Sequence, residues 1–219
     1  MSSFPELLAS LDVETDGPIP LRNSMLSIGC AIFTPDKEVV GTFYRNITPL
    51  HEACPDPETM TWWYQHPEAY AGTLVDARDA YRAMAEFADW FEDMSKLGPI
   101  DYMAYPGLFD GMFLRTYAKA FGSRDTINFD GGWCLKSLIA GNRSVPFRKA
   151  TSWPLPAQIL SGTFPINHNA LDDAASQGAM GVNLIRYSRC LPPIRTVTLL
   201  CDYRPPAFGT EALTDWVAE

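Results

Sequence analysis

Leu7-Leu8-Ala9-Ser10-Leu11-Asp12-Val13-Glu14 runs apolar and then turns acidic, and Asp16-Gly17-Pro18 breaks it. The run reads as a buried strand whose C-terminal end opens to substrate. Alternate residues of a strand share a side, so Asp12 and Glu14 present their carboxylates together while Leu11 and Val13 face the opposite way. Residues 24–34 read as a second strand, 35–38 as a turn, and 39–47, rich in β-branched and aromatic residues, as a third. Three strands joined by short turns make an antiparallel meander.

Downstream the pattern changes. Residues 48–72 are rich in proline, acid and tryptophan and hold no clear period. Residues 76–94 predict the most regular helix, with Ala80, Met84, Phe87, Ala88 and Phe91 on one face. A short strand over 100–104, a helix over 110–121 closed by Gly122 and a shorter helix over 133–140 follow. Residues 141–167 are irregular, and 170–189 form the last helix. The tail from Leu191 carries two Pro-Pro pairs and one apolar run, 197–200. Strands first, then alternating helix and strand, predict an α/β fold without repeats or linkers.

At 219 residues the chain has length for one well-buried domain and little for a second. An apolar fraction of 47% is ordinary for a globular protein, so a packed core is expected rather than disorder. No run reaches the ~18 apolar residues of a membrane span. The opening Met1-Ser2-Ser3-Phe4-Pro5-Glu6 has no basic or apolar signal region, so the cytoplasm is the expected location. The five cysteines are odd in number, widely spaced and without a Cys-x-x-Cys pair, which argues against a zinc cage and fits reduced thiols. A net charge of −9 argues against nonspecific coating of nucleic acid, which rests on basic patches. It leaves room for a short, metal-anchored grip on a chain end.

Three stretches carry candidate chemistry: Asp12-Val13-Glu14-Thr15, Phe109-Asp110 and His168-Asn169-Ala170-Leu171-Asp172-Asp173. Carboxylates converging on one point repel unless cations neutralise them, and hard oxygen ligands suit Mg²⁺ or Mn²⁺. Asp110 follows an apolar strand and a Pro-Gly turn, where an acid serves equally as a helix N-cap. His168 and Asp173 stand five apart, so His168 is expected on the loop entering the last helix. Asn167, Asn169 and the neighbouring acids also suit a helix N-terminus, and Asp172 competes with Asp173 as the functional acid.

Taken together, Asp12-Val13-Glu14-Thr15-Asp16-Gly17 with the strand after it, Tyr105-Pro106-Gly107-Leu108-Phe109-Asp110, and His168 with its His-x4-Asp spacing resemble the three motifs of the DEDDh 3′→5′ exonucleases. That family includes RNase T, oligoribonuclease and the proofreading subunit of bacterial replicative polymerase. Thr59-Met60-Thr61-Trp62-Trp63-Tyr64-Gln65 is similar to a segment of the bacterial and phage exoribonuclease-like branch. The resemblance covers residues 7–188. Tyr-Pro-Gly stands where many members carry a polar residue before Phe-Asp.

The resemblance implies a ribonuclease H-like fold, a mixed central sheet (antiparallel meander plus parallel strands) flanked by helices. It implies an exonuclease domain over 1–190 and a C-terminal extension over 191–219 packed on it. It makes Asp12, Glu14, Asp110 and Asp173 the ligands of two Mg²⁺ or Mn²⁺ ions and His168 the general base, with Asp172 outside the set. The expected substrate is a single-stranded 3′ end, RNA before DNA; a proofreading-type DNA exonuclease is the rival. An inactive nucleic-acid-binding module on the same fold is a third reading, against which stands the presence of all five side chains. Family members often dimerise, so a homodimer is one expected assembly.

Candidate substrate contacts are Thr15, Trp62, Trp63, Arg148 and Lys149. The tryptophans serve either as stacking platforms or as core aromatics, and Arg148-Lys149 either touches phosphates or forms a solvated pair. His51 and His66 receive no role.

Overall fold

The computed structural model describes residues 6–122, 132–150, 154–206 and 215–218. The described strands form one sheet in the order β5-β4-β1-β2-β3-β6-β7. β1 (Leu7–Thr15), β2 (Met25–Phe33) and β3 (Glu38–Asn46) are the antiparallel meander read from the sequence. β4 (Ile100–Ala104) pairs parallel with β1, and β5 (Gly132–Cys134) parallel with β4. Beyond β3 lie β6 (Val197–Leu199) and β7 (Trp216–Ala218), each parallel to its inner neighbour.

Helices cover both faces. Odd residues of β1 (Leu7, Ala9, Leu11, Val13) pack in one cluster with α3 (Ala80–Ser95) and α4 (Gly107–Phe121) through Phe87, Phe113, Leu114 and Tyr117. Leu8 of β1 joins the opposite cluster, with α5 (Leu135–Arg143) and α6 (Ala170–Ser188). The alternation places Asp12 and Glu14 on the α6 side. α6 is buried almost throughout its first four turns. Its start comes so close to β2 that a Cβ on Gly29 would run into the backbone of Ala170 and Leu171. Gly29 is the strand partner of Asp12, so this contact sets α6 beside the first acid. No described helix is long and apolar enough to cross a membrane.

Four boundaries differ from the sequence reading. Residues 48–72 contain two helices, α1 (Pro57–Trp63) and α2 (Pro67–Thr73). Each is about two turns, too short to display a period, and the signals that start them are prolines at the first helical positions with the Asp56 cap. α3 begins at Ala80 because Asp79 caps it, its side chain accepting from Arg82 N. α4 begins at Gly107, so Asp110 lies inside the first turn and Pro106 holds the N-cap position. Residues 132–134 extend the sheet before α5 begins, where a helix from 133 was expected.

Candidate active site

β4 stops at the register of Leu11, which frees the Val13 N–H beyond it. Asp110 of α4 takes that donor on Oδ1 at 3.2 Å, which ties the second acidic motif to the first. Its Oδ2 is buried and has no hydrogen-bond donor among the described residues. Asp173 is anchored differently. Asn167 N donates to its Oδ1 at 3.1 Å and His168 N to its Oδ2 at 3.0 Å. Asn169 caps α6, its Oδ1 accepting from Leu171 N and Asp172 N. His168, just before this cap, has φ of 61°. The left-handed region costs a non-glycine residue about 1–2 kcal/mol, and here the Asp173 carboxylate holds the turn.

These constraints bring the acids together. Glu14, His168 and Asp173 offer ligand atoms that all lie within 4.8 Å of one another. His168 Nδ1 is 3.9 Å from Glu14 Oε1. Burial first, then the charges of Asp110, Glu14 and Asp173, hold the Asp12 carboxyl well above the usual range. Glu14 is raised for the same reasons, burial leading and Asp173 and Asp110 following. Burial pushes Asp110 up to about 7 and Asp173 to about 6, the latter against its two backbone donors. His168 is shifted below its ordinary value by burial and by His66.

The donor set fits divalent cations. It consists of hard carboxylate oxygens, their proximity is costly without a counter-charge, and Asp110 Oδ2 is a buried acceptor without a donor. Glu14, His168 and Asp173 form the group that could hold such an ion, with the Asp12 and Asp110 carboxylates beside it. Asp172 points elsewhere: Tyr203 Oη donates to its Oδ1 at 3.0 Å and Asn167 Nδ2 to its Oδ2 at 2.8 Å.

The sequence profile of the 3'-5' exoribonuclease Rv2179c-like domain matches residues 8–184, which take in all three acidic motifs. The chain belongs to this family. The 3'-5' DNA exonuclease Cap18 of Escherichia coli is 27% identical over 186 residues, 82% of this chain and 92% of its own length. Solved structures share the fold at low identity. The nuclease domain of 3'hExo, a DEDDh family member bound to rAMP, superposes with a TM-score of 0.61 at 12% identity, over 85% of this chain and 95% of that one. The zinc-bound complex of E. coli exonuclease I with single-stranded DNA gives 0.61 at 15% identity over 85% of this chain, which spans only 41% of that protein. The fold is therefore ribonuclease H-like, and the chain stands among the 3′→5′ exonucleases.

In this exoribonuclease-family site the other expected contacts part company. Trp63 is a core residue whose Nε1 donates to Thr15 O at 2.9 Å, at the irregular end of β1. Trp62 is 36% exposed and lies against His66 and His168, with ring centroids 4.3 Å and 4.6 Å away. Arg148 and Lys149 are exposed on the short 3₁₀ turn Phe147–Lys149.

Two residues escaped the sequence reading. Gln177 Nε2 donates to Asp12 Oδ1 at 2.9 Å. Its position one helical turn after Asp173 was the available signal. His66 reaches the ring of His168, centroids 5.1 Å apart, from a segment whose short helices give no periodic cue. Beside this pair opens a cavity of about 520 Å³, lined by His66, Asn167 and His168 among others.

Proposed function

We propose that this protein removes nucleotides one at a time from the 3′ end of single-stranded RNA, with Asp12, Glu14, Asp110 and Asp173 as ligands of two Mg²⁺ or Mn²⁺ ions and His168 as general base. The observation that carries the reading is the carboxylate cluster with its unpartnered Asp110 Oδ2 and a histidine at its rim. When bound, the ions supply charge stabilisation at the scissile phosphate and lower the pKa of water.

The chain's own groups do the rest. Val13 N–H and the Asn167 and His168 N–H groups hold the Asp110 and Asp173 carboxylates in place. Gln177 fixes the rotamer of Asp12. His168, shifted below its ordinary pKa, is neutral near pH 7 and takes the proton of the attacking water, and the leaving 3′ oxygen is protonated from solvent. The catalytic unit is residues 1–190, with 191–219 as an extension that adds strands to its sheet.

DNA is the second reading, favoured by the curated relative Cap18, a DNA exonuclease. Degradation of 5′-labelled single-stranded RNA and DNA of one sequence, with Mg²⁺, Mn²⁺ or EDTA, tests both. A metal-dependent ladder shortening from the 3′ end supports the proposal, and the faster strand names the sugar. A folded protein that cleaves neither strand with either metal overturns it.

A further inference from the structure

His168 stands on a loop at φ 61°, and its backbone N–H is committed to Asp173, so no regular element fixes its imidazole. Three rings do. Trp62 meets it at 90° with centroids 4.6 Å apart, His66 at 68° and 5.1 Å, and Trp63 at 78° and 6.4 Å. All three come from α1 and the turn into α2.

The rings are themselves held. Trp63 Nε1 bonds Thr15 O, the residue after Glu14. Trp62 packs on Trp63 at 71° with centroids 4.9 Å apart. His66 lies over Trp62, centroids 4.3 Å apart at 31°, and its Nδ1 pairs with Trp62 O at 3.0 Å. α1 is fastened in turn, Asp56 N donating to Asp16 O and Asp56 Oδ2 accepting from Thr59 N.

We infer that Trp62 and His66 are positioning residues that orient the His168 imidazole for proton transfer and link it, through Trp63, to the strand end carrying Glu14. The inference rests on the reading of His168 as general base. Edge-to-face ring contacts hold a relative orientation as well as a distance. Proton transfer needs the ring nitrogen within hydrogen-bond reach of the water, and a displacement of ~1 Å costs about 100-fold in rate. A nucleobase platform is the competing role for Trp62, but His66 occupies one of its faces.

The test is steady-state cleavage of a short 5′-labelled single-stranded RNA with Mn²⁺ by wild type, Trp62→Ala, Trp62→Phe, His66→Ala, His168→Ala and the double variant Trp62→Ala/His168→Ala. Trp62→Ala is expected to lower kcat about 10- to 100-fold with KM within about threefold, and Trp62→Phe to regain most of the loss. His66→Ala is expected to lower kcat about 3- to 10-fold, and in the His168→Ala background Trp62→Ala should add no further loss.

A raised KM with kcat intact in Trp62→Ala overturns the inference in favour of the platform. Full additivity with His168→Ala also overturns it, since the rings would then act on something else. His168→Ala with wild-type kcat removes the general-base reading and the inference with it. A slow His168→Ala beside a wild-type Trp62→Ala removes the inference alone. Melting curves check the fold of each variant, and should Trp62→Ala not fold, the His66→Ala/His168→Ala pair decides in its place.

Discussion

The ammonium of Lys37 and the carboxylates around Asp12 are both buried, yet the protein treats them in opposite ways. Lys37 has no exposed surface, and its Nζ donates to Ser161 O at 2.6 Å, Ile194 O at 2.8 Å and Arg195 O at 3.4 Å. Burial pushes it down to about 8 while Asp215 pulls it back up. Every proton of the ammonium has an acceptor, and the result is a tie between the β2–β3 turn and the segments flanking α6. The acids have no such completion. Asp12 and Glu14 are raised by burial and by the charges of their neighbours, and Asp110 Oδ2 has no donor among the described residues. A buried charge satisfied by its own chain is structural, whereas one left unfinished marks where the fold tolerates a cost for the sake of a ligand.

That contrast can be broken at several points. Asp12→Ala should lower metal-dependent cleavage by about three orders of magnitude or more without unfolding the protein, the scale of losing a group worth several kcal/mol in the transition state. Strong residual turnover would mean that Asp12 is not part of the machinery. Lys37→Met should do the reverse, costing about 2–3 kcal/mol in chemical denaturation because three carbonyls lose their donor, while the folded fraction keeps its kcat. Unchanged stability would show that the tie is dispensable.

Proton linkage separates the two clusters more finely. Asp110 at about 7 and Asp173 at about 6 lie above the ordinary aspartate value, so the metal-free folded state keeps protons that the unfolded chain has lost. The stability they contribute is present below about pH 4 and lost as pH rises through 6 to 7. In EDTA, Asp110→Asn should therefore gain in Tm over wild type between pH 5 and pH 8. At pH 8, Mg²⁺ or Mn²⁺ should raise wild-type Tm by about 2–4 °C for each kcal/mol of binding energy, and that of the variant less. Parallel Tm curves for the two proteins would rule out a strained anionic cluster. The smallest effect belongs to Asp172→Asn, expected to stay within about threefold in kcat because Tyr203 and Asn167 hold that carboxylate aside. A large loss there would redraw the cluster.

The meander was legible because each of its strands spans one apolar run between turn residues. The acids were legible as three motifs because Asp12 and Glu14 obey strand alternation and Asp173 sits just inside a capped helix. What the sequence withheld has physical causes. α1 and α2 are too short to show a period, so the packing of Trp62 and His66 on His168 stayed hidden in a segment whose tryptophans were read as substrate platforms or core residues. Asp110 was ambiguous between cap and ligand because the proline that starts α4 sits behind a turn; only its bond to Val13 N shows which way it faces. Trp62 and Trp63 are adjacent in sequence but differ in burial, and no local pattern says which of two neighbouring tryptophans on a two-turn helix points inward.

The hydrogen-sized gap at Gly29 leaves the start of α6 no room to shift. The strand partner of Asp12 meets the backbone of Ala170 and Leu171 directly. A methyl group at position 29 would lift that first turn from the sheet, and Asp173 would travel with it. The separation between the first acidic motif and the third is therefore gauged by a side chain that consists of one hydrogen.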